Sequence, residues 1–167
     1  MSENRNQQRN AVKPFWLLMR LPVPWVFVLT YLIGVGLEIL FPFGHRSAQV
    51  LLVSKIGGGV LFLIGAAIAA WGLFVFHKAH TTTVPGESST KLVISGPYRF
   101  SRNPMYLGLI FAYVGEAGLL TQVWPLLVLP FGVAYVNGVV IPVEAAQLKE
   151  DFGNEYEQYR ARVRRWI

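Results

Sequence analysis

Residues 105–141 read MYLGLIFAYVGEAGLLTQVWPLLVLPFGVAYVNGVVI, and the only charged side chain among them is Glu116. Two apolar runs, Met105–Leu120 and Trp124–Ile141, are joined by Thr121-Gln122-Val123. Neither run alternates polar with apolar residues as a half-buried strand would. A helical rise of about 1.5 Å per residue brings each near the length of a hydrocarbon core. A three-residue connection folds such helices back into an antiparallel hairpin.

Upstream, Pro24–Phe41 and about Ile56–Phe76 read the same way. The second is rich in Gly and Ala, which lets a neighbouring helix approach closely. Four spans are therefore expected. Residues 1–13 are polar and read as a tail rather than as the n-region of a signal peptide. A short apolar patch from Phe15 to Leu21, broken by Arg20 and Pro22, reads as an interfacial entry.

Composition agrees. The 167 residues are 53% hydrophobic and 14% charged, against roughly 25% charged in soluble domains. That excludes an ordinary soluble enzyme, a disordered chain and a nucleic-acid binder. There is no cysteine, so disulfides, thiolate zinc sites and a cysteine nucleophile are absent, and no metal is expected. The net charge of +6 belongs to polar segments between apolar runs, which makes a lipid bilayer the natural partner.

The basic residues also give an orientation. Four precede the first span (Arg5, Arg9, Lys13, Arg20), four lie between spans two and three (Lys78, Lys91, Arg99, Arg102), and five follow the fourth (Lys149, Arg160, Arg162, Arg164, Arg165). Only Arg46 and Lys55 fall on the other side. The positive-inside bias places both termini and the 77–104 loop in the cytoplasm. The last segment, Glu144–Ile167, is amphipathic: Ala145, Leu148, Phe152, Tyr156, Tyr159 and Val163 recur every three or four residues, with Gly153 as an interruption.

Chemistry concentrates in residues 92–108, LVISGPYRFSRNPMYLG. Gly96-Pro97 makes a turn. Asn103-Pro104 has the form of a helix start, with Asn as N-cap and Pro at the first helical position. Such a terminus either suits an anionic group of a ligand or is simply a well-capped helix. Glu144, directly after the fourth span, either pairs with a loop cation such as Arg102 or accepts hydrogen bonds from ligand amines and hydroxyls. His77 and His80 are candidates for a base or for positioning an acceptor, or are interfacial histidines facing headgroups. Arg99 and Arg102 either bind phosphate or snorkel. Glu116 either lines a cavity or hydrogen-bonds structurally.

These residues carry a resemblance. Gly96-Pro97-Tyr98-Arg99, then Arg102-Asn103-Pro104-Met105-Tyr106-Leu107-Gly108, then Glu144…Leu148…Phe152-Gly153…Tyr156…Tyr159 resemble the isoprenylcysteine carboxyl methyltransferase and phospholipid methyltransferase superfamily, over roughly residues 80–165. The resemblance implies an all-α integral membrane enzyme that uses S-adenosyl-L-methionine, with first helices over 14–76 and a methyltransferase core over 77–167. It places cofactor contacts on Thr83, Thr90, Lys91, Leu92, Val93, Tyr98, Asn103, Pro104, Met105, Tyr106 and Glu144. His80 and Arg102 become the catalytic candidates. Asn103 stands where many members have His, a replacement common in bacterial members, which implies a bacterial inner membrane.

Two positions depart from the pattern. Ala145 replaces the second acidic residue of a Glu-Glu pair. Val140 stands where the prenylcysteine enzymes carry an Arg that meets the acceptor carboxylate. Val140 is therefore expected to line the substrate cavity and to disfavour a carboxylate acceptor. The expected activity is methyl transfer to a lipophilic acceptor. The alternatives are an NADPH enzyme like the sterol reductases, which share part of the motif but often carry an acidic residue where this chain has Leu109, and a non-catalytic membrane scaffold.

Overall fold

The computed structural model describes residues 23–44, 47–79 and 91–167, and it is helical, with no strand among those residues. The helices are α1 (Val23–Leu40), α2 (Ala48–Ala79), α3 (Pro104–Leu119), α4 (Trp124–Tyr135) and α5 (Ile141–Arg162). A 3-10 turn at Gly96–Arg99 precedes α3, and a π turn at Val136–Val140 joins α4 to α5 without a break. Three stretches are long and apolar enough to cross a membrane: α1, α2 and the continuous Trp124–Arg162. Helix α3, at 16 residues, is the shorter arm of the hairpin. Large apolar side chains such as Leu32, Ile33, Val53, Leu63, Phe74 and Phe131 face outward, as the surface of an integral membrane protein requires.

The hairpin arms pack mainly on other partners: α3 lies along α2, and α4 along α1. The α2–α3 seam is made of glycine. Gly58, Gly65 and Gly72 are all buried along α2 at seven-residue spacing, opposite Gly108 and Gly115 of α3. A Cβ added to Gly108 would lie 2.6 Å from the Ala69 backbone nitrogen and 2.7 Å from the Gly65 carbonyl oxygen. Backbone therefore rests on backbone, which is how helices associate when lipid offers no hydrophobic driving force. The Ser54 hydroxyl donates to the Gly118 carbonyl at 2.8 Å and pins the far end of the seam.

Helix α2 starts at Ala48, earlier than the expected Ile56. Residues 48–56 contain no Gly or Pro to end the helix, and the Ser54 bond holds this extension against α3. The fourth span likewise continues past Ile141. Pro142 has no N–H to return to residue 138, and its ring crowds that carbonyl. The widened turn at Val136–Val140 supplies the room, so the helix passes through.

Beyond Val143 the charged residues begin and α5 leaves the apolar zone. Gly153, at φ 49° and ψ −118°, bends it as the sequence indicates. The bend brings Lys149 within 2.9 Å of Glu157. Tyr156 and Tyr159 of the second half are buried.

At the opposite end, the Glu38 carboxylate accepts from the N–H groups of Val123 and Trp124 at 2.9 and 3.0 Å, capping α4. The Tyr31 hydroxyl donates to Gln122 at 2.8 Å. Glu116 sits at this end, near Tyr31 and Tyr113 and away from the 92–108 loop.

Candidate active site

The loop before α3 is held by its own turn. Gly96 takes φ +60°, and a Cβ there would meet Val75 at 2.9 Å and the Trp71 indole nitrogen at 3.3 Å. Only glycine combines that backbone with that proximity. The turn delivers Tyr98 inward: its ring stands edge-on to Phe76 with centroids 5.1 Å apart, and it is only 5% exposed. The Tyr98 hydroxyl lies in the space that Gly72 leaves beside Met105, and it has no hydrogen-bond partner among the described residues. Burial first, then Tyr159 and the Glu144 carboxylate, push this phenol well above its ordinary pKa. It is thus a neutral donor within electrostatic reach of a half-buried acid.

That acid is partnered. The Tyr106 hydroxyl donates to Oε1 of Glu144. Tyr106 is buried in the first turns of α3, and Glu144 is in the first turn of α5. The sequence offered Glu144 a loop cation such as Arg102 or a ligand; among the described residues it has no ion pair with Arg102, and its partner is Tyr106, which the sequence reading did not propose. A carboxylate has about four acceptor sites; one hydroxyl leaves capacity for donors brought by a ligand. Tyr106 joins Val23, Phe27, Tyr113, Val136 and Ile141 in a buried cluster, with Met105 and Val140 packed against it. Val140 therefore stands in the same neighbourhood as the Tyr106–Glu144 pair.

The helix start falls where Asn103-Pro104 places it, but Asn103 does different work. Its side chain makes no capping bond. Instead Nδ2 donates to the Arg165 carbonyl at 2.9 Å, while its own N–H donates to the Ser101 hydroxyl at 3.1 Å. The Pro104 side chain is fully buried.

The other candidates are dispersed. Val93 is buried and Lys91 exposed. Leu92 lines a groove of about 400 Å³ with Ile94, Arg99, Tyr159 and Arg162. The charge of Arg102 bears on Tyr159 and Glu157 of α5, and its Nε is buried without a partner among the described residues. His80, Thr83 and Thr90 lie outside the described residues. The structure thus brings together Tyr98, Met105, Tyr106, Val140 and Glu144.

Sequence reasoning gave Tyr159, Asn137 and Arg165 no role at the site. The Tyr159 hydroxyl donates to the Tyr98 carbonyl at 2.8 Å and clamps α5 onto the loop. Asn137 and Arg165 meet at 3.1 Å. Asn137 had a visible signal: it is the one carboxamide in the apolar run Trp124–Ile141, and a polar group there needs a reason.

The family model described as phospholipid methyltransferase matches residues 53–155. The chain belongs to that family. The match takes in most of α2, the glycine seam, the loop with Tyr98, the Tyr106–Glu144 pair and α5 to just past its bend. Two curated relatives, each named probable protein-S-isoprenylcysteine O-methyltransferase, from Oryza sativa subsp. indica and subsp. japonica, are 30% identical over 110 residues. The aligned region is 64% of this chain and 56% of each relative, so the chain spans little more than half the length of the relatives it matches. No solved structure matches.

Proposed function

We propose that this protein is a membrane methyltransferase that uses S-adenosyl-L-methionine and acts on a lipophilic acceptor reached from the bilayer. The observation that carries the reading is the half-buried Glu144 carboxylate, held among the described residues by Tyr106, with the buried Tyr98 hydroxyl, which has no partner among those residues, within its electrostatic reach. A buried donor without a partner is costly for a fold, and with a carboxylate of spare acceptor capacity in the same region it suits a polar, cationic ligand. S-adenosyl-L-methionine is such a ligand, with an ammonium group, ribose hydroxyls and a sulfonium that supplies a transferable methyl group. Glu144, Tyr98 and Tyr106 would hold it, with Met105 and the start of α3 against it. The chain's own task is to orient the two reactants and to exclude water.

Val140 supports a neutral or amine-bearing acceptor. An apolar wall leaves a buried carboxylate uncompensated, so a free prenylcysteine is disfavoured despite the names of the rice relatives. In this reading both termini and the loop end of the bundle face the cytoplasm, supported by the distribution of basic residues.

Calorimetric titration of the detergent-purified protein with S-adenosylhomocysteine and with NADPH tests the cofactor. Binding of the former alone is expected; binding of NADPH alone would replace this reading with a reductase. Incubation with radiolabelled S-adenosyl-L-methionine and a farnesylated cysteine analogue tests the acceptor, and efficient methyl-ester formation would overturn the Val140 argument.

A further inference from the structure

The last residues of the chain return to the bundle and make a set of bonds that no part of the proposed chemistry uses. The Arg164 carbonyl accepts from the Arg102 N–H at 3.0 Å. The Arg165 carbonyl accepts from the Ser101 hydroxyl at 3.3 Å and from Asn103 Nδ2 at 2.9 Å. The same Arg165 reaches the other way with its guanidinium, to the Asn137 side-chain oxygen at 3.1 Å and the Asn137 carbonyl at 3.4 Å. The Trp166 indole N–H also donates to the Asn137 side-chain oxygen, at 3.3 Å. Its ring packs against the cluster that holds Tyr106, Val136 and Ile141.

Asn137 is in the π turn, where the Ile141 N–H bonds back five residues to Val136. Such a turn takes a carbonyl out of the regular ladder, and here the guanidinium meets one. Helix α3, which carries Tyr106, and the α4–α5 helix, which carries Glu144, are not packed backbone to backbone as α2 and α3 are. A hydrogen bond between two side chains does not by itself fix the separation of two helices. The C-terminal segment does, because it is bonded to the start of α3 on one side and to the π turn on the other.

We infer that Asn137 is a positioning residue, which through Arg165 and Trp166 holds the C-terminal segment as a clasp across the start of α3 and so sets Tyr106 against Glu144. The effect on cofactor affinity rests on the function proposed above; the effect on the α3 start does not. Asn137→Ala removes the side-chain acceptor that Arg165 and Trp166 share and leaves Arg165 only the longer contact to the main-chain carbonyl. Asn137→Asp keeps an oxygen there and adds a charge that suits the guanidinium.

The test uses the full chain in lipid nanodiscs, with amide hydrogen exchange and S-adenosylhomocysteine titration on the wild type, Asn137→Ala, Arg165→Ala, Asn137→Asp and the double alanine variant. Exchange across 101–107 is expected to rise roughly tenfold, about 1.4 kcal/mol of local opening, in both single alanine variants, with 58–72 unchanged. Affinity is expected to fall by a similar factor. Asn137→Asp restores both readouts, and the double variant loses less than the sum of the two single effects, because the two residues share the guanidinium–Oδ1 contact. Wild-type exchange at 101–107 in the alanine variants, or an Asn137→Asp protein that behaves like Asn137→Ala, overturns the clasp. If the wild type binds no S-adenosylhomocysteine while the exchange pattern holds, the clasp stands and the cofactor assignment falls.

Discussion

At Gly58 and Gly65, α2 meets α3 through bare backbone, with glycine on both sides and no side chain between Gly65 and Gly108. At the loop end the same two helices give way to Tyr98, Tyr106, Tyr159 and Glu144, joined by hydrogen bonds and leaving one hydroxyl without a partner among the described residues. The first region has one purpose, close approach, and every polar group in it belongs to a helix. The second carries polar groups beyond what its own packing satisfies. One motif serves both: Tyr98 and Tyr106 supply the polar end, and Gly108, one helical turn or less from Tyr106, supplies the seam. Shared sequence in a motif is therefore no proof of shared chemistry, since Gly108 acts on helix packing.

This contrast can be broken by exchanging effects between the regions. The largest effect is expected from Gly108→Val, whose side chain would enter the α2 backbone. Overpacking costs roughly 1–3 kcal/mol and more where no flexible side chain can yield, and here the neighbours are Ala69 and Gly65 backbone atoms. Thermal unfolding in detergent and gel filtration should show a strongly destabilised or aggregated protein; a wild-type midpoint would mean that the seam is looser than described.

Tyr106→Phe comes next. It leaves the Glu144 carboxylate without its donor, a loss of about 1–3 kcal/mol that should lower both the thermal midpoint and ligand affinity. A variant that loses neither would show that Glu144 finds another partner.

Tyr98→Phe separates the regions more sharply. Its hydroxyl bonds nothing among the described residues, so the midpoint should hold or rise slightly. S-adenosylhomocysteine should bind more weakly by about 0.5–1.5 kcal/mol, the worth of one neutral hydrogen bond. An unfolded variant would place this hydroxyl in the structural network instead. Ser54→Ala should do least: about 1 kcal/mol or less of stability, with ligand affinity unchanged.

Much of this was legible in residue order. Apolar runs gave the helices, the three-residue link gave the hairpin, and Gly and Ala in the second run announced a close neighbour, because these signals are local. The Gly153 bend was readable for the same reason. The continuation through Pro142 was not, since it depends on a π turn at Val136–Val140, and the contact that Arg165 makes to Asn137 within that turn comes from far along the chain. Asn103 shows the limit most clearly. Its position as N-cap follows from Asn-Pro, whereas its partner, the Arg165 carbonyl, is far along the chain and becomes visible only once α5 has folded back. Tyr98 and Tyr106 were found through a family resemblance, and Glu144 first through its place directly after the fourth span; their convergence on one region is a property of the tertiary structure.

The central claim is that Glu144 serves a ligand as well as the fold. Glu144→Gln keeps the size of the side chain and an oxygen for Tyr106 but removes the charge. Titration of this variant with S-adenosylhomocysteine, beside its thermal midpoint, tests the claim directly. Affinity should fall by roughly 1.5–3 kcal/mol, the worth of a hydrogen bond to a charged group, while the midpoint stays close to that of the wild type. Unchanged affinity together with a lowered midpoint would contradict it, and would make Glu144 a structural partner of Tyr106 alone.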